Sequence, residues 1–183
     1  MDGQETTGVA ARQVPALAEA VVDLLNSRPH ATPQLPDTLA DPATAERLLL
    51  PFREPGTPAP SEHDIVQVTV LRDALVKVVS TPDAWAEVNR LAESVAFHHV
   101  FSDDGRVTLR QVSGSPVVGG VVRAVAELAA DGRLARVRVC ANAECSHAFY
   151  DTTRSRTQRW HSYEMCGNRA NVAAYRARTR RSG

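Results

Sequence analysis

All three cysteines of the chain, Cys140, Cys145 and Cys166, lie in one stretch together with two of its six histidines, His147 and His161. Thiolate sulfur and imidazole nitrogen are the ligand atoms of structural zinc sites, which close with four ligands. Three thiols are one short of that number. His161 and His147 are the two candidates for the fourth position, His161 near Cys166 and His147 two residues past Cys145. Cys140 and Cys145 flank the four residues ANAE. They follow LARVRV and precede AFYD, both of which read as short strands. That is the layout of a zinc knuckle, two thiolates presented by a tight turn. Such a pair needs a second pair further along the chain, and Cys166 is half of it. In a reducing compartment, clustered cysteines point to a metal more than to disulfides. Three ordinary buried cysteines are the alternative, and their tight grouping argues against it. Four protein ligands leave no position for a reacting water, so the expected site is structural and not hydrolytic. A segment this small has almost no core. Metal binding would supply much of its folding free energy, on the order of 10 kcal/mol.

Other chemistry is hard to find. G-x-S-x-G, P-loop and G-x-G-x-x-G patterns are absent, and no acid–base set converges, so an enzyme is not expected. His98 and His99 are adjacent in an expected strand, where neighbours face opposite ways, so they make a poor metal pair. One of them is expected to be half-buried. Gly119-Gly120 reads as a close-packing spot in a helix and not as a phosphate cradle.

The net charge of zero hides a division. Residues 131–183 carry 11 Arg against 4 acids, and the rest of the chain is acidic by the same margin of 7. An acidic body with a basic end suggests a polyanionic partner. Arg154, Arg156 and Arg159 lie among Ser and Thr, all able to donate to phosphate oxygens. Arg169, Arg176, Arg178, Arg180 and Arg181 follow Cys166 in an expected helix, with Arg169, Arg176 and Arg180 sharing a face. An arginine-studded helix held by a metal suits the major groove of duplex DNA. A solvated tail, or one docked on the acidic body, is the alternative. Trp160 reads as a hydrophobic lid on the metal turn more than as a base-stacking platform.

The words Cys140-Ala-Asn-Ala-Glu-Cys145, Phe149, Asp151-Thr-Thr-Arg-Ser-Arg156, Arg159-Trp160 and Cys166-Gly-Asn-Arg169 closely resemble the CGNR zinc finger. The resemblance implies one structural Zn²⁺ with Cys140, Cys145, His161 and Cys166 as ligands. His161 stands where that family has its third cysteine. Asn168 and Arg169 would then belong to the turn around the metal as much as to any DNA contact, and His147 would be exposed. Upstream, the order of elements resembles the ABATE domain that precedes this finger. Members of that family are described as stress-induced transcription regulators. The resemblance thus implies a body that senses a signal, a small-molecule effector for example, or forms a homodimer, and a finger that binds duplex DNA. A ligand-binding or enzymatic body with the finger as a clamp, and a protein-interaction module, are the alternatives.

The elements that must position these residues are mostly helices. The expected class is mainly α with a small β-hairpin (α+β): a disordered stretch over 1–12, a helical domain over 13–135, and a zinc module with a terminal helix over 136–183. VPALAEAVVDLLNS places Leu17, Val21, Leu24 and Leu25 on one stripe. Asp41-Pro42 and Ser61 with Asp64 are helix starts, the second opening a long helix with Val68, Leu71, Leu75, Val78 and Val79 on its apolar face. Thr81-Pro82 starts a helix carrying Trp85, Val88, Leu91 and Val95. A hairpin turns at Asp104-Gly105, and the next helix stops at Asp131-Gly132. No apolar run approaches the length of a membrane span, and the N-terminus lacks a signal-peptide pattern, so a cytoplasmic protein is expected.

Overall fold

The computed structural model describes residues 13–81 and 84–181. The expected disorder of 1–12 and the Pro82 helix start fall outside the described residues. Helices dominate. The body consists of α1 (Ala16–Asn26), α2 (Pro42–Leu49), α3 (Glu62–Ser80), α4 (Trp85–Ala92) and α5 (Pro116–Ala130). Between α4 and α5, β1 (Ala96–Phe101) pairs antiparallel with β2 (Val107–Ser113). A second, shorter antiparallel hairpin follows, β3 (Val137–Val139) with β4 (Ala148–Tyr150), and α6 (Asn168–Arg181) ends the described chain.

The helices begin where local chemistry starts them. The Asp41 carboxylate accepts from Thr44 N at 2.9 Å with Pro42 at the first helical position of α2. Ser61 and Asp64 form a reciprocal capping box on α3. Each satisfies backbone N–H groups that the first helical turn leaves unpaired. Gly105 and Gly132 adopt left-handed φ of 78° and 72°, the conformation glycine takes at least cost, in the β1–β2 turn and after α5.

The stripes expected on α1 and α3 face one core. Val21, Leu24 and Leu25 of α1 meet Val68, Leu71 and Leu75 of α3 and Val117, Val121 and Leu128 of α5. Gly120 lets α5 approach the chain at Phe52, because a Cβ there would collide with the Phe52 carbonyl. At Gly119 a Cβ would collide with the Gln111 side chain. Both glycines are therefore packing residues, as expected. In the β1–β2 ribbon, His98 pairs with Arg110 and His99 with Leu109, and both histidines are exposed. The half-buried histidine expected there is absent, because the ribbon stands out from the body.

The main core continues past the helices. Val137 of β3 and Ala148 of β4 are buried in it, β3 lying on α3 and β4 on α1. Among the described residues, no helix is long and apolar enough to cross a membrane.

Candidate metal centre

The β3–β4 hairpin delivers the first two thiols. Cys140 N donates to His147 O at 2.8 Å, closing the hairpin. Cys145 N and Ser146 N both donate to Asn142 O, and Ser146 takes a left-handed φ of 52°. This turn brings Cys140 and Cys145 to the same side. The second half of the site comes from the segment that crosses back, where Ala141 N donates to Arg159 O at 2.9 Å. A π-helical turn, Tyr163–Gly167, then carries Cys166 and runs into α6. Ser162 opens it, its hydroxyl accepting from Met165 N and its carbonyl from Cys166 N. Gly167 fits because a Cβ there would lie 2.6 Å from the Tyr163 ring.

Four ligand atoms converge. Those of Cys140, Cys145, His161 and Cys166 all lie within 4.8 Å of one another. His161 Nδ1 is 3.4 Å from Cys145 Sγ and 3.7 Å from Cys166 Sγ. Tetrahedral zinc with Zn–S of about 2.3 Å and Zn–N of about 2.0–2.1 Å requires S···N separations of roughly 3.5 Å. The donor set therefore fits one Zn²⁺, with Nδ1 as the imidazole ligand. Without a cation the grouping is unfavourable: burial and the neighbouring thiols push Cys145 up to about 11, although a backbone N–H opposes them. A divalent ion holds such a thiol deprotonated. His161 is pushed toward its neutral form by burial and by His30, which suits a ligand. Phe149 and Trp160 pack on the three cysteines, so Trp160 is the lid, with Arg159 stacked 5.2 Å above its ring.

Residues 136–179 match the family model of the CGNR zinc finger. No curated protein matches the chain. The CGNR finger therefore covers the hairpin, the crossing segment, the π-turn and most of α6, and its Cys3His cluster could hold one zinc ion.

His147, the rival ligand, has both ring nitrogens engaged elsewhere. The backbone of Ala148 fixes the Asn26 amide, whose oxygen accepts from Ala148 N at 2.7 Å and whose nitrogen donates to Ala148 O at 2.9 Å. The second amide hydrogen then reaches His147 Nε2 at 3.2 Å. That leaves His147 Nδ1–H to donate to His30 Nε2 at 3.3 Å, and His30 Nδ1–H to donate to Arg28 O at 2.8 Å. The chain of bonds sets the tautomer of each ring. Burial first, then the neighbouring His161, His30 and Arg28, pushes His147 down to about 4. His147 is thus half-buried and not exposed as expected, because it fastens the finger to the body. Arg28 adds bonds to Leu25 O and Ser146 O.

The loop after β4 has its own anchor. Asp151 is wholly buried, and its carboxylate accepts from Thr153 N, Thr153 Oγ1, Gln158 N and Arg138. Burial alone would raise its pKa, but these donors outweigh it and hold Asp151 ionised. Arg136 bonds to the carbonyls of Asp151 and Thr153, and Arg138 to that of Arg156. Arg154, Arg156 and Arg159 are left exposed on this fixed loop. Arg169, Arg176, Arg178 and Arg180 are exposed on α6, and the side chain of Arg181 falls outside the described residues. The resemblance expects Asn168 and Arg169 at the turn around the metal as much as in any DNA contact. Both are exposed, with no side-chain hydrogen bond to the described residues.

The sequence reading missed Asn26, Arg28, His30 and Arg72. Arg72 is buried on α3 and pairs both its terminal nitrogens with the Asp37 carboxylate at 2.8 Å, one of them also reaching Ser27 Oγ. It holds the segment that carries Arg28 and His30. An arginine inside the apolar pattern VTVLRDALV was a visible signal for it.

Proposed function

We propose that this chain is a non-catalytic transcription regulator that binds duplex DNA through its CGNR finger, with an ABATE-like body that senses a signal or forms a homodimer. The observation that carries the reading is the placement of exposed arginines on two supports fixed around one metal turn. Arg154, Arg156 and Arg159 sit on the loop held by Asp151, and Arg169, Arg176, Arg178 and Arg180 on the helix that grows from Cys166. At 100° per residue Arg169, Arg176 and Arg180 fall on one face of α6. A helix presented this way can enter a major groove while the loop meets the flanking phosphates.

Electrophoretic binding of the zinc-loaded chain to duplex DNA across a salt series tests this reading. Affinity should fall steeply with salt, and each Arg→Ala change in the loop should lower the slope by about 1. Arg176→Ala or Arg180→Ala should instead relax sequence preference at one position, a bidentate arginine–guanine pair being worth roughly 1–3 kcal/mol. If all these variants bind as the unaltered chain does, the arginines do not form the interface. The bonds of Asn26 and Arg28 to the finger would then favour a clamp role for the zinc module.

A further inference from the structure

Two adjoining cavities share Trp85 and Ala129, the smaller within the body and the larger where the body meets the finger. The smaller, about 140 Å³, is apolar, its walls including Leu71, Leu75, Val88, Val122 and Val125. The larger, about 600 Å³, is lined by Val78 and Val79 at the end of α3, by Val137 and Arg138 of β3, and by Arg156 of the finger loop. We propose that the two cavities together bind an amphipathic small-molecule carboxylate, its apolar part along Trp85 and its charged end at Arg138 and Arg156.

The walls set the class of ligand. Valine and leucine side chains around Trp85 favour an apolar occupant and offer a strongly hydrated molecule nothing in exchange for its water. The two side chains able to balance a charge are both arginines, and guanidinium forks match a carboxylate in two bonds. Arg138 spends one terminal nitrogen on Asp151 and on the Arg156 carbonyl, and its remaining guanidinium nitrogens make no bond to the described residues. Arg156 has no ion pair or side-chain hydrogen bond to the described residues. The larger volume lies within the usual range of about 300–1,000 Å³ for ligand sites. The position also carries a consequence. An occupant touches α3, α5 and the arginine loop at once, and it engages Arg156, one of the residues assigned above to phosphate. The ligand should therefore lower DNA affinity. This second step rests on the DNA-binding reading, and the ligand site itself does not.

Isothermal titration of the full zinc-loaded chain with octanoate and with 1-octanol separates the steps. Octanoate should bind saturably at one site per chain, and octanol at least tenfold more weakly. Arg156→Ala should narrow that difference. Ala129→Phe should abolish binding, with Val79→Phe as a second plug and zinc content and helicity checked for each. Absence of saturable octanoate binding, or unchanged binding in both plugged variants, overturns the site. Duplex affinity measured with and without octanoate then tests the coupling. A drop supports it, and unchanged affinity with octanoate bound removes the coupling but not the site. A chain that binds no DNA in either condition refutes the regulator reading, while the titration still decides the ligand site.

Discussion

Among the described residues, the core around the helical body gathers 25 buried apolar residues into one cluster, Val137 and Ala148 of the finger's hairpin among them, whereas the far half of the finger buries three, two of which are metal ligands. A buried leucine or valine contributes about 1.5–3 kcal/mol relative to exposure, while ordering each residue costs about 1–2 kcal/mol. The body can meet that cost with apolar area. Residues 140–167 cannot, and depend on the ion. The two regions also differ in how they use polar groups. The body buries two arginines, Arg72 to fix a loop and Arg28 to reach the finger. The finger uses Asn26, Arg28, Arg136, Arg138 and Asp151 to fix nearly every turn. They meet at β3 and β4, whose inner residues belong to the body's core while their turn carries two of the three thiols.

The strongest way to separate the regions is to remove the metal. Chelation, or Cys166→Ser, should forfeit on the order of 10 kcal/mol from the finger alone. Amide exchange should then show 140–167 unprotected while α1, α3 and α5 keep their protection. Unfolding of the whole chain in one step on chelation would refute the division. Within the site, His161→Ala should lose zinc and His147→Ala should retain it. The reverse result would overturn the ligand assignment.

The next effect lies in the body. Arg72→Ala leaves Asp37 without its partner and should cost about 3 kcal/mol, the low end for a broken buried pair, since Asp37 is partly exposed. The bond to Arg72 holds Asp37 below its ordinary pKa of 3.8. A depressed carboxylate stabilises the fold above its unfolded pKa, and that contribution disappears as pH falls through the folded one. In urea titrations with chelator present, the unaltered chain should therefore exceed Asp37→Asn in stability at pH 7. The gap should hold down to about pH 4 and close below it. A gap that does not change with pH would mean the ion pair is not its source.

How far the sequence could be read follows the same division. Helix starts at Asp41 and Ser61, the stripes on α1 and α3, the packing glycines and the Cys3His set all depend on residues a few positions apart, or on a motif with fixed spacing. These were legible. The links between the regions were not. Asn26 meets Ala148 across 122 positions, and nothing at either residue marks the other. His147 departs from its expected exposure for this reason, since its burial comes from α1 and the following loop. Arg72 could have been noticed as a charge in an apolar stripe, but its partner Asp37 lies in a Pro-rich loop with no pattern of its own.

One glycine in each region sharpens the comparison further. At Gly120 a new Cβ would meet the backbone carbonyl of Phe52, which has no rotamer to yield. Gly120→Ala should destabilise by about 1–3 kcal/mol, even though alanine is about 1 kcal/mol the better helix former. At Gly167 the Cβ would meet the ring of Tyr163, an exposed side chain that can turn aside by giving up one hydrogen bond from Asn171 and an edge contact to Trp160. Gly167→Ala should cost less than about 1 kcal/mol and keep zinc. Denaturation midpoints with zinc content in parallel check both. Equal losses would show that the metal turn is packed as rigidly as the body.

The smallest expected effect concerns the exchanged ligand. Nδ1 is the imidazole nitrogen nearer the backbone, so a thiol is the side chain best able to take its place. His161→Cys should therefore still bind one zinc. The charge of the centre changes from −1 to −2, because a neutral ligand becomes a thiolate. At roughly 10 Å in water a unit charge acts on a phosphate with about 0.4 kcal/mol, and physiological salt screens most of that. On the DNA-binding reading, affinity should fall by less than about twofold at low salt, with no measurable change near 0.15 M. Zinc content by elemental analysis and binding at the two salt levels give the answer. A His161→Cys protein that holds no zinc would show that the turns at Cys145 and Cys166 are shaped around the imidazole itself. The finger would then differ from a four-cysteine site in geometry and not only in charge.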